Sequence, residues 1–183
     1  AASPVRSGNP LWDNAWLLLS LTALFWAGNA VVGRAVAGMV NLFNPAVSID
    51  VLLGAGTVSL DSTVLTINSG TFAGSLRDGV GLGSLVKAGS GSLTLGGLST
   101  YSAGTVIENG VLLLGGSNRL LSTGSITLNG GSFDLGGNNQ TLGLVTLNSG
   151  MIRQGVLSSA AGFNVVSGSV DAVLGGSGAL TKS

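Results

Sequence analysis

Residues 124–150 read GSITLNGGSFDLGGNNQTLGLVTLNSG. Short apolar–polar alternations, Ile126-Thr127-Leu128 and Val145-Thr146-Leu147, are separated by Gly, Ser and Asn. Period-two alternation bounded by such residues marks short strands joined by tight turns. Leu65-Thr66-Ile67 and Leu93-Thr94-Leu95 carry the same texture upstream. A longer period runs beneath it. With Gly70, Gly91, Gly110, Gly131, Gly150 and Gly168 as anchors, the steps are 21, 19, 21, 19 and 18. Two residues after the anchors stand Phe72, Leu93, Leu112, Phe133, Ile152 and Val170. Three before stand Ile67, Ala88, Ile107, Leu128, Leu147 and Val165. Five before stand Leu65, Val86, Thr105, Ile126, Val145 and Phe163, of which only Thr105 is polar.

The spacing predicts a mainly β fold, a solenoid of ~20 residues per coil in which equivalent residues stack ~4.8 Å apart. The aligned apolar positions then point inward. Glycine at the anchor permits a positive φ at the corner, and Asn68, Asn129 and Asn148, two residues earlier, are placed to stack as turn ladders. Leucine-rich repeats have a similar period, but their LxxLxLxxN spacing does not recur. An antiparallel barrel or sandwich stays open as the alternative.

Composition agrees with such a fold and narrows the chemistry. Of 183 residues 32 are Gly, only 8% are charged, and seven basic residues balance seven acidic ones. No net field draws the chain to nucleic acid. With 45% apolar residues and zero net charge a disordered chain is not expected. Without Cys there is no disulfide, iron–sulfur cluster or thiolate zinc site, and without His the commonest general base and metal ligand are missing.

The first 40 residues differ from the rest. They hold all three Trp (Trp12, Trp16, Trp26), and residues 14–33 contain no charge. As a helix, 20 residues span ~30 Å, the thickness of a bilayer core. One N-terminal hydrophobic helix is therefore expected, with three readings open: a transmembrane anchor, a secretory signal peptide with Ala35-Val36-Ala37 as its cleavage pattern, or a buried capping helix. The expected organisation is residues 1–40 as this segment, 41–50 as a linker and 51–183 as a truncated solenoid.

At LVKAGSGSLTLGGLSTYSAGTVIENGVLLLG, residues 85–115, the chain closely resembles the autotransporter-associated β-strand repeat. That repeat belongs to passenger domains of type V secreted proteins of Gram-negative bacteria. Residues 124–150 read like such a passenger, and Gly178-Ala179-Leu180-Thr181-Lys182-Ser183 matches Gly83-Ser84-Leu85-Val86-Lys87-Ala88 as the opening of a second copy. The resemblance, over residues 75–183, implies a right-handed parallel β-helix carried to the outer surface. Separately, FWAGNAVVGR, residues 25–34, resembles the first helix of EamA-type (drug/metabolite) transporters, a likeness covering residues 11–38. A single span cannot build a midplane transport site, so that activity is not carried over.

Parallel β-helices also house glycan-cleaving enzymes, which need converging carboxylates. Asp50, Asp61, Asp78, Glu108, Asp134 and Asp171 are scattered along the repeats. Asp134 and Asp171 share the position three after an anchor, two coils or ~10 Å apart, close to the ~6.5–9.5 Å of an inverting pair; the plainer reading is exposed, solubilising carboxylates. Residues 130–135, GGSFDL, partly match the calcium nonapeptide GGxGxDxUx, with Phe where Gly is required and no tandem partner. Residues 81–83, GLG, precede no helix and so lack a phosphate-binding dipole. Arg77-Asp78-Gly79 reads as a turn, Tyr101 as core or corner packing, and Asn139-Gln140-Thr141 as an idle sequon. No catalytic, cofactor-binding or metal residue is assigned.

The expected function is a non-enzymatic structural or adhesive passenger-like segment at the bacterial cell envelope or surface. The alternative is a single-span membrane accessory subunit whose β-domain decorates a larger complex. Expected partners are the membrane, through residues 14–33, a protein or glycan at the cell surface, and further copies in an end-to-end or larger membrane assembly, with no nucleic acid.

Overall fold

The structure, a computed structural model, describes residues 32–34 and 39–183. Among them are fifteen strands and no helix. The first five are β1 (Val32–Arg34), β2 (Met39–Asn41), β3 (Ala46–Gly54), β4 (Thr57–Ser59) and β5 (Val64–Phe72). Next come β6 (Ser75–Arg77), β7 (Ser84–Lys87), β8 (Ser92–Leu95), β9 (Thr105–Ile107) and β10 (Val111–Leu114). The last five are β11 (Ile126–Leu128), β12 (Ser132–Leu147), β13 (Met151–Val165), β14 (Ser169–Gly175) and β15 (Leu180–Lys182).

Every pairing described is parallel, which excludes the antiparallel alternative. The strands wind into a right-handed solenoid of about eight turns. One face stacks β1, the end of β3, the end of β5, β8, β10, and the first residues of β12, β13 and β14. A second face stacks the start of β3, the start of β5, β7, β9, β11, the ends of β12 and β13, and β15. A third face is regular only at its ends: β2, β4 and β6 near the N-terminus, and β12, β13 and β14 beyond it.

The expected N-terminal helix is corrected. Val32–Arg34, which includes the end of the apolar stretch, is strand, with Val32 opposite Val51 and Arg34 opposite Leu53. Val and Gly are weak helix formers, and the open edge of β3 offers their backbone ready partners. The rest of that stretch, residues 14–31, lies outside the described residues. No helix among the described residues is long and apolar enough to cross a membrane. Residues 41–50, expected as a linker, include Asn41 of β2 and the first half of β3.

The core is a set of apolar columns between the faces. On the second face Leu65, Leu85, Ile126 and Val145 are buried in one column, and Ile67, Ile107, Leu128 and Leu147 in the next. On the first face Leu93, Leu112, Phe133 and Ile152 stack in register and are buried. Each such side chain contributes about 1.5–3 kcal/mol on burial. The intervening positions, such as Thr66, Val86, Val106 and Thr127, are half-buried and β-branched, the residues that suit a pleated surface. At the corners, Gly110, Gly131, Gly150 and Gly168 all take positive φ. A Cβ on Gly131 would lie 2.5 Å from the Gly110 carbonyl oxygen, and one on Gly150 would lie 2.4 Å from that of Gly131. These corners need glycine for space as well as for conformation.

Two details of the expected register change. In the coil of residues 84–95, the core positions are Leu85 and Lys87, opposite Leu65 and Ile67, while Val86 and Ala88 are turned away. Phe72 stands opposite Leu95, and Gly70 takes the place opposite Leu93. The first change accompanies one extra residue at the corner after Lys87, and the second a corner two residues short in the coil below, where Gly70 stands three steps after Ile67. From Lys87 to Leu93 is six steps, whereas from Ile107 to Leu112 and from Leu128 to Phe133 is five. The positive φ of that corner accordingly falls on Gly89, not Gly91.

Candidate functional site

The enlarged corner after β7 holds the most unusual side chain of the fold. Lys87 is fully buried in a column otherwise filled by Ile67, Ile107 and Leu128. Its aliphatic stem packs as a core residue while its ammonium reaches the corner. There Nζ donates to the carbonyl oxygens of Ala88, of Gly89 at 2.8 Å and of Asn109 at 3.0 Å. Asn109 belongs to the next coil, so the cation ties two coils together. Burial lowers the Lys87 pKa from its ordinary range. Lys182 occupies the same column, opposite Val165, and donates to Val166 O at 2.6 Å and Ser183 O at 2.7 Å. The match between residues 178–183 and 83–88 is thus a match of position in the solenoid.

Thr105, the polar exception among the inward positions, is also explained. Its hydroxyl lies 2.7 Å from the Tyr101 hydroxyl, and both residues are buried. Tyr101 fills the irregular part of the third face, beside a void of about 10 Å³ that admits one water at most. Below it Asp78 gathers the Ser102 hydroxyl, the Ser102 N–H and the Gly83 N–H. Burial raises the Tyr101 pKa far above 10.0, with the Thr105 hydrogen bond acting in the opposite sense. The folded state therefore keeps this proton where the unfolded phenol loses it. The stabilisation is complete below about pH 10 and is lost as pH rises beyond it. Because Tyr101 is the sole tyrosine, an absorbance titration will show no tyrosinate until the far-UV signal of the fold is lost; ionisation near pH 10 in a folded chain would contradict this burial.

The carboxylates do not converge. Asp134 and Asp171 share one outward column, as their spacing indicated, but Arg153 stands between them, opposite both. Asp134 bonds the Arg153 guanidinium at 3.0 Å and accepts the Gly136 N–H at 2.8 Å. A guanidinium occupies the place where an inverting pair would hold its water. Asp134 is thereby engaged, and among the described residues no three His, Cys, Asp or Glu side chains gather to hold a metal ion. Beside Asp171 lies a shallow open depression lined by Gly155, Val170, Ala172 and Val173, with no second ionisable group. At another corner Asn148 donates to Asn129, and Asn129 to Glu108, both at 2.9 Å, while Asn68 donates to Asp50 at 2.7 Å. An amide both donates and accepts, so it propagates such a ladder; a carboxylate only accepts and ends it.

Gln140, the middle residue of the sequon, is buried and behaves as backbone: its amide receives Leu120 N–H at 3.1 Å and donates to Leu120 O at 3.0 Å. Lys87 and Gln140 are two of the buried polar residues that the repeat pattern missed. For Lys87 the signal was the six-step spacing to Leu93; for Gln140 the irregular third face offered none.

These groups brace neighbouring coils. The Passenger-associated-transport-repeat family matches residues 85–114, which run from Leu85 through the Lys87 corner and the Tyr101–Thr105 pair to the end of β10. Over this part the chain is similar to autotransporter passenger repeats. No curated protein and no solved structure matches the chain. The likeness of residues 11–38 to an EamA-type helix gains no support. The repeat and the solenoid together are structural in kind and suit an exported or envelope protein.

Proposed function

We propose that this chain is a structural segment of a passenger-like protein that displays a long, rigid β-solenoid face at the bacterial cell surface, with adhesion spread over many weak contacts to a protein or glycan. The observation that carries this reading is the coincidence of the family match over residues 85–114 with the coils whose polar side chains serve to hold the stack. The Asp134–Arg153 ion pair is likewise spent on a neighbouring coil. Protease treatment of intact Gram-negative cells expressing the chain tests it. The solenoid is expected to be cleaved or shed from the outside, and complete protection in intact cells with degradation after lysis would reject surface display.

One observation favours a second reading. Residues Val32–Arg34 form a rung on β3, so removal of a leader after Ala37 would strip that rung from the solenoid. Retention of the segment points to a membrane-attached accessory subunit. Intact mass from separated membrane and soluble fractions distinguishes the two: a species beginning at Gly38 supports the exported passenger, and an uncleaved chain in the membrane fraction supports attachment.

A further inference from the structure

We propose that Asn109 is a site of spontaneous covalent modification, at which its side chain closes a ring with the Gly110 nitrogen and the Lys87 ammonium promotes the step. Asn-Gly occurs twice in the chain, at Asn109-Gly110 and Asn129-Gly130. Glycine has no side chain to hinder its nitrogen, so both dipeptides are chemically open to this reaction. The structure holds the two pairs very differently.

At the first pair the reacting groups are already together. Asn109 is exposed, and its Oδ1 accepts the Gly110 N–H at 2.7 Å, which leaves the side-chain carbon to be attacked one bond beyond that contact. The backbone is anchored on both sides: Asn109 N–H donates to Lys87 O at 3.4 Å, and Val111 N–H to Gly91 O at 3.1 Å. Groups held in such proximity spend little entropy in reaching each other. A Cβ on Gly110 would lie 2.3 Å from Gly91 O and 2.8 Å from Lys87 Nζ, so the cation and a glycine are fitted to one another. Lys87 Nζ also lies 3.0 Å from the Asn109 carbonyl oxygen. That carbonyl is conjugated with the Gly110 nitrogen. A cation on its oxygen draws electrons out of the amide and stabilises the anion left when the Gly110 N–H loses its proton.

At the second pair every one of these features is missing. Asn129 Nδ2 donates to Glu108 Oε1 and its Oδ1 accepts from Asn148 Nδ2, both at 2.9 Å, so the amide is held in the ladder. Gly130 N–H donates to Ile107 O at 3.3 Å instead of to the preceding side chain. The inward residue beneath that corner is Ile107, in the column place that Lys87 holds one coil earlier.

The reaction consumes one water and releases one ammonia. Hydroxide takes the Gly110 N–H proton, and the nitrogen bonds to Asn109 Cγ. The Cγ–Nδ2 bond breaks, and the leaving nitrogen gains a proton from water and departs as ammonia. Water then opens the cyclic imide. Attack at Cγ gives aspartate. Attack at the main-chain carbon breaks its bond to the Gly110 nitrogen, so the chain runs through Cγ as isoaspartate and the former carbonyl becomes a carboxylate. The Lys87 ammonium already sits on that oxygen, which favours the second opening.

The test incubates the 183-residue protein in mildly alkaline buffer, folded and in urea. Mass mapping of tryptic peptides 88–119 and 120–153 follows each asparagine as a gain of one mass unit, and isoaspartyl methylation separates the two products. In the folded chain Asn109 is expected to react about tenfold faster than Asn129 and faster than in urea, with a larger isoaspartate share than in urea. In urea the two sites should react at similar rates. Lys87→Met, shown by far-UV dichroism to be folded, is expected to lose most of the excess at Asn109. Loosening of the coil would speed the reaction, so a fall reports the missing ammonium. The proposal is overturned if Asn129 keeps pace with Asn109 in the folded parent, if folding slows Asn109, or if folded Lys87→Met retains the parent rate. Should that variant not fold, the folded and urea-treated parent decide the matter alone.

Discussion

Lys87→Met will lower the stability of the folded chain by about 2–4 kcal/mol in urea unfolding. Methionine matches the length of the lysine stem and keeps the column between Ile67 and Ile107 filled. What it removes is the cation shared by the carbonyls of Ala88, Gly89 and Asn109. Those oxygens converge on one point in a half-buried corner, and without a donor they keep part of the cost of their desolvation. The competing effect is the cost of burying an ammonium, which can exceed its return when partners are few. Three acceptors on one cation favour the lysine. A Met variant as stable as the parent would show that desolvation prevails.

Phe133→Ala will cost about 3–5 kcal/mol, lowering Tm by about 6–20 °C for a chain of this size. Phe133 is fully buried, with Leu112 opposite it on one side and Ile152 on the other. A cavity there weakens the contacts to both neighbouring coils. In a solenoid each coil touches only its neighbours, so a defect in the middle divides the array into two blocks that melt separately. Thermal unfolding followed by far-UV dichroism should therefore change from one transition to two. A single transition with a shift under about 1 °C would mean that the interior relaxes around the missing ring.

Much of this architecture could be read from residue order. From Ile107 to Leu112, from Leu128 to Phe133 and from Leu147 to Ile152, each five steps, the glycine frame gives the right partners. It fails where the chain adds a residue, because a lysine reads as surface and the frame puts Ala88 at the inward position. Apolar composition at Val32 and Gly33 does not distinguish strand from helix when the partner strand is unknown. The third face was illegible for a similar reason: around Tyr101 and Gln140 side-chain hydrogen bonds replace regular strand pairing, and these leave no period in the sequence. Among the candidate groups, Asp134, Arg153 and Asp171 all stand three residues after an anchor glycine. The pairing that rules out an inverting carboxylate pair is therefore present in the same frame that brings Asp134 and Asp171 into one column.

The placement of Lys87 and Lys182 in one column has a genetic corollary. Between them the column passes through Ile107, Leu128, Leu147 and Val165, so 95 residues make five complete turns. A DNA segment encoding those 95 codons could be copied or deleted by unequal recombination without changing the angular phase of anything downstream. Individual turns of 17 to 23 residues vary too much to be exchanged singly without moving a glycine off its corner. The five-turn block is thus a unit in which such a gene can lengthen or shorten while every surviving corner keeps its place.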